Sequence, residues 1–163
     1  MALHVNIEDL LSARTVESDR IEFKEGWNPD AVYRSICAFA NDFDNLGGGY
    51  ILIGAAENTL TKTAARPVKG VSTNLIGTIQ QEMIGCNNLL KPYYAPRLFV
   101  EEVDGKQIIV LWVNGVSERP YEVPETITAK VIPMACPPSG KLWNKMVRRT
   151  QCSILMKNVP GFR

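Results

Sequence analysis

Gly47, Gly48 and Gly49 stand in a row and lead straight into Tyr50, Ile51, Leu52 and Ile53, an apolar run that closes at Gly54. No other stretch limits the fold as tightly. Glycine has no Cβ, so it accepts left-handed backbone and lets a neighbouring chain come close; the triplet therefore predicts a sharp turn. The run that follows has no polar alternation, which suits a short strand covered on both faces. A phosphate-cradling P-loop is a different object, because it needs Gly-Lys-Ser/Thr at the start of a helix and these glycines open a strand. No nucleoside triphosphate site is expected here.

The flanking segments fit around such a strand. In "RIEFK", Ile21 and Phe23 alternate with Arg20, Glu22 and Lys24, the period-2 pattern of a strand with one core face and one polar face. Asn6 precedes "IEDLL" as an N-cap, with Glu8 and Asp9 in the first turn, where the helix dipole favours acids. Asn28 and Pro29 open a second helix on which Val32, Ile36, Phe39, Ala40 and Phe43 form an apolar stripe. "LTKTAARPVKGV" reads as a polar connector, a loop that reaches over a binding surface. A third helix is expected in "STNLIGTIQQEMIGCNN", with Leu75, Ile76, Ile79 and Met83 on one face. Asp104-Gly105 between "RLFVEEV" and "KQIIVLWV" is a two-residue hairpin signal. "ERPYEVP" reads as an extended edge segment, since Pro120 and Pro124 cannot donate to a ladder.

Charge and cysteine content narrow the function. Residues 1–130 hold 12 Lys and Arg against all 17 Asp and Glu, a balance of −5, while 131–163 hold six bases and no acid. A purely electrostatic DNA binder is basic throughout its folded part, so any nucleic-acid contact must come from a local patch or from the tail, where "KMVRR" would serve as an arm. The chain is long enough for one domain, expected over 1–130, followed by a basic, proline-containing tail over 131–163. Cys37, Cys86, Cys136 and Cys152 are scattered without a CxxC pair, which argues against a zinc knuckle or a disulfide framework and for a reducing cytoplasm. His4 is the only histidine, so a histidine base or an imidazole-built zinc site is not expected. No run approaches the roughly 18 apolar residues of a membrane span.

Four ordered motifs, "ESDRIEFKEG", "ICAFANDFDNLGGGYILIGAAEN", "GKQIIVLWV" and "RPYEVP", resemble the Schlafen AlbA-like domain over about residues 6 to 128. The resemblance implies a mixed α/β (α+β) fold with a mostly antiparallel sheet and two or three packed helices. It also implies a DNA-binding module of bacterial transcriptional regulators, in which an ATP-binding domain and a winged helix usually follow; those effector domains are not in this chain. In some animal Schlafens the same region is a metal-dependent endoribonuclease acting on structured RNA, with three carboxylates around Mg²⁺ or Mn²⁺. By motif these fall on Glu17, Glu22 and Glu57. The family commonly has Asp in the third motif, whereas this chain reads Ala55-Ala56-Glu57.

Such carboxylates would suit a hard cation that stabilises charge at a phosphate and activates water. Equally, Glu22 lies beside Arg20 and Lys24, as in a strand surface laced with ion pairs. For binding DNA or RNA, the expected contacts are Arg20 and Lys24 on the strand and Lys62, Arg66 and Lys69 in the connector, acting as a flexible clamp on phosphates. Trp27, Tyr93, Tyr94 and Trp112 lack the arrangement of a base-stacking sheet, and Trp112 is expected in the core. The hairpin and the edge segment leave room for a homodimer that would join two weak patches into one footprint.

Overall fold

The computed structural model describes residues 3–12 and 20–128 fully and 149–151 by their backbone. Four strands, β1 (Ile21–Lys24), β2 (Gly49–Ile53), β5 (Arg97–Val103) and β6 (Lys106–Val113), form the main sheet in the order β1-β2-β6-β5. Only β1 and β2 run parallel; β2 with β6 and β5 with β6 are antiparallel. Two short ladders complete the topology: β3 (Glu57–Asn58) with β4 (Thr63–Ala64), and β7 (Glu122–Pro124) with β8 (Arg149–Gln151). The fold class is thus the α+β one implied by the sequence.

Every residue of β2 is buried, as its unbroken apolar run requires. Its odd residues, Ile51 and Ile53, join Ile109, Leu111 and Val113 in a core shared with α2 (Pro29–Asn41) and α3 (Thr73–Asn87). Its even residues, Tyr50 and Leu52, join Ile108, Val110 and Phe99 in a second core, closed by Leu10 and Leu11 of α1 (Ile7–Leu11) and by Ala64 and Val68. Each fully buried Ile or Leu contributes about 1.5–3 kcal/mol, so the central strand carries much of the fold's stability.

The caps form where their residue types predict. Asn6 Oδ1 accepts from Glu8 N–H at 2.9 Å, and Asn28 Oδ1 accepts from Ala31 N–H at 3.3 Å. Asp104 and Gly105 take φ of 53° and 70°, the left-handed pair that a tight hairpin demands. Two apolar positions differ from expectation. Asp42 turns left-handed and ends α2 after Asn41, so Phe43 falls outside the stripe and is 49% exposed; Leu75 lies at the edge of α3's buried face and is 41% exposed. The helical stripe instead takes in Tyr33, whose hydroxyl donates to Asn87 Oδ1 at 2.7 Å. Cys37 is fully buried on the inner face of α2. Cys86 is a buried free thiol, and burial pushes its pKa up.

Asp30, in the first turn of α2, fastens the segment after β7. Its carboxylate accepts from Thr128 Oγ1 at 2.8 Å, from Thr128 N–H at 3.2 Å and from Ile127 N–H. Burial raises its pKa, but these hydrogen bonds and the Arg34 charge outweigh burial and hold it below 3.8. A carboxyl depressed in the folded state stabilises above its unfolded pKa and loses that contribution as pH falls through the folded value. Asp30→Ala is expected to cost about 1–2 kcal/mol at neutral pH, a figure already reduced for solvent screening, with the difference from wild type shrinking as pH falls from the ordinary carboxylate range through the lowered folded value. Urea denaturation across that range measures it, and a pH-independent difference would contradict it.

Candidate nucleic-acid interface

The connector after β2 is a built ribbon where the sequence suggested a flexible loop. Gly70 N–H donates to Gly54 O at 2.8 Å and Ala65 N–H to Ala56 O at 2.8 Å, so 54–58 and 63–70 run side by side with β3 and β4 near the tip. Ala64 and Val68 anchor the ribbon in the second core. At its return, Arg66 reaches Asp104 Oδ1 at 2.6 Å and also Glu8, while Val68 N–H donates to Asp104 Oδ2 at 3.0 Å. The Asp104 carboxyl is held below its ordinary range by the Val68 amide and then by Arg66. Arg66 therefore ties the ribbon to the β5–β6 hairpin and to α1.

The other expected cations divide into two kinds. Arg20, half-buried, donates from Nε to Gly48 O at 2.7 Å and so braces the glycine turn. Lys24 Nζ lies 2.5 Å from Glu22 Oε1, with only 22% of its side chain exposed. Lys62 and Lys69 are the open ones. Lys62 pairs with Glu57 at 3.4 Å and Lys69 with Glu25 at 2.5 Å, and their side chains are 64% and 57% exposed. Exposed pairs of this type are worth about 0–1 kcal/mol, so a phosphate can replace the carboxylate at little cost.

Beside the ribbon's base, Lys69–Thr73 and Gly105–Gln107 line a cleft of about 340 Å³. Its lining carries Lys69 and Lys106 and no carboxylate; Lys106 Nζ donates to Val68 O at 2.9 Å. From Asn58 to Gln81 the chain holds Lys62, Arg66 and Lys69 and no acid, although residues 1–130 are acidic in sum. That acid-free stretch is the sequence signal for this surface, and it includes Lys69–Thr73 of the cleft but not Gly105–Gln107, which only the fold brings in.

Of the three expected metal ligands, Glu17 lies outside the described residues. Glu22 and Glu57 are each engaged by a lysine, and among the described residues no three His, Cys, Asp or Glu side chains come together as a cation site. The described residues do not by themselves make a donor set for Mg²⁺ or Mn²⁺. Trp112, expected in the core, is half-buried: Tyr50 stacks beside it, the His4 ring meets it edge-on, and Arg97 lies 5.2 Å from its ring centre. No helix among the described residues is long and apolar enough to cross a membrane.

The chain belongs to the Schlafen, AlbA_2 family, whose profile matches residues 17–133. This family is linked to nucleic-acid binding. Among solved structures, the chain is similar to the N-terminal domain of a RecG-related protein from Nitrosomonas europaea, described as a candidate ATP-dependent DNA helicase. The two are 30% identical, the match covers 81% of this chain and 83% of that one, and the TM-score is 0.50. A protein from Corynebacterium diphtheriae matches at 21% identity over 71% of this chain and 22% of that one, with a TM-score of 0.47. No curated protein matches.

Proposed function

We propose that the chain is the nucleic-acid-binding domain of a transcriptional regulator and that its ligand is duplex DNA. The observation that carries this reading is the ribbon, whose chain holds no acid from Asn58 to Gln81 and which presents Lys62 and Lys69, with Lys106 at its base, on the surface of an otherwise acidic body. Lys24 and Arg20 contribute less, since one is paired and half-covered and the other braces the glycine turn. Family membership supports the nucleic-acid part, and the DNA-helicase description of the Nitrosomonas relative supports DNA. Pairing of two copies would join two ribbons into one footprint; a monomer by size exclusion at high concentration would remove that part.

The test is binding and cleavage in one assay, with labelled duplex DNA, single-stranded DNA and structured RNA in Mn²⁺ or in EDTA. The expected result is salt-sensitive binding, tightest for duplex DNA, equal in Mn²⁺ and EDTA and intact in Glu22→Ala. Mn²⁺-dependent products that vanish in Glu22→Ala would replace this reading with a metal-dependent ribonuclease using Glu17, Glu22 and Glu57.

A further inference from the structure

Leu60 is 92% exposed, more than any other large apolar side chain among the described residues. It stands at the tip of the ribbon, and the tip is ordered by its own hydrogen bonds. Asn58 Oδ1 accepts from Leu60 N–H at 3.0 Å and from Thr61 N–H at 3.4 Å, and Asn58 O accepts from Lys62 N–H at 2.8 Å. Thr61 and Thr63 hydroxyls meet at 2.7 Å. An internally bonded turn thus points a leucine into water, where it gains nothing within its own chain.

Its surroundings indicate what covers it. Lys62 is next but one, Thr59, Thr61 and Thr63 offer hydroxyls, and no acid occurs between Asn58 and Gln81. Lys62 holds Glu57 only through an exposed pair at 3.4 Å, which a phosphate can displace. An apolar tip flanked by a cation and hydroxyls is the chemistry of side chains that wedge between base steps from the minor groove while their neighbours hold the backbone. Resting on the nucleic-acid reading above, we propose that Leu60 is such a wedge: it enters between stacked base pairs of duplex DNA, with Lys62 on a flanking phosphate.

Duplexes with a single 2-aminopurine at a flexible TA step report unstacking as a rise in fluorescence. The full chain is expected to produce that rise. Leu60→Ala should bind roughly tenfold more weakly and produce none, Leu60→Phe should keep it, and Lys62→Ala should weaken binding while leaving the rise per bound complex unchanged. Leu60→Ala that binds and unstacks like wild type overturns the wedge, leaves DNA binding intact, and points the leucine to a protein partner. Wild-type binding with no rise at any probed step also overturns it. An equal rise on RNA duplex overturns the assignment to the DNA minor groove. Absence of binding to every duplex removes the nucleic-acid reading and the wedge with it.

Discussion

Gly48→Ala is expected to destabilise the fold by about 4 kcal/mol or more, the largest effect of a methyl group added at any of the described glycines. A Cβ at Gly48 would sit 1.9 Å from Val113 O, 2.6 Å from Gly115 N and 2.8 Å from Asn114 C, all backbone atoms at the end of β6. Its φ of +77° adds the strain of left-handed geometry. The three glycines are not equivalent. At Gly49 a Cβ would meet Phe39 Cδ1 at 2.6 Å and Arg20 O at 2.7 Å, so Gly49→Ala should cost about 2–3 kcal/mol as the ring shifts and the backbone gives. At Gly47 only the flexible Arg20 guanidinium lies near, at 3.4 Å, and the penalty is the φ of +92° alone, about 1 kcal/mol. Urea denaturation of the three variants measures the order Gly48, Gly49, Gly47. A Gly48→Ala variant within about 1 kcal/mol of wild type would contradict the packing of the triplet against the end of β6.

Asn41→Ala is expected to cost about 3 kcal/mol. Asn41 is 1% exposed at the last turn of α2. Its Oδ1 accepts from Tyr121 N–H at 2.8 Å, and its Nδ2 donates to Tyr121 O at 3.1 Å and to Cys37 O at 3.0 Å. One amide thus satisfies both backbone groups of Tyr121, whose ring meets Tyr94 edge-on at 5.5 Å. Alanine leaves the buried Tyr121 N–H without its partner and strips the stronger donor from the Tyr121 carbonyl, which costs more than the bonds contribute when made. Asn41→Asp should be no better, because the carboxylate keeps the Tyr121 N–H but opposes two carbonyls. Equilibrium unfolding of either variant gives the number, and a loss below about 1 kcal/mol would mean that the segment around Tyr121 finds other partners.

Much of the framework was legible from local rules. The Asn6 and Asn28 caps, the Asp104-Gly105 turn and the fully covered strand after the glycines each depend on a few adjacent residues, and each forms where its residues predict. What escaped depends on partners far along the chain. Arg66 reads as a free clamp until Glu8 and Asp104, 58 and 38 residues away, are placed beside it. Arg20 likewise reads as a surface cation, yet it bonds Gly48 across 28 residues. Asn41 resembles any helix-end polar residue until Tyr121 arrives from 80 residues on. The β3–β4 ladder escaped for another reason: two-residue strands are too short to show a period, so threonines and a lone leucine looked like a loop. The surviving signal there was the missing acid, which carries information about charge rather than secondary structure.

If the ribbon's open lysines neutralise nucleic-acid phosphates, the salt dependence of duplex DNA binding by wild type and by a Lys62→Ala, Lys69→Ala double variant shows it most directly. Each phosphate that is no longer neutralised takes close to one from the slope of log K against log salt, so the double variant should bind more weakly with a slope shallower by about 2. Unchanged affinity and an unchanged slope would place the DNA-binding surface elsewhere on the chain and contradict the role given to the ribbon.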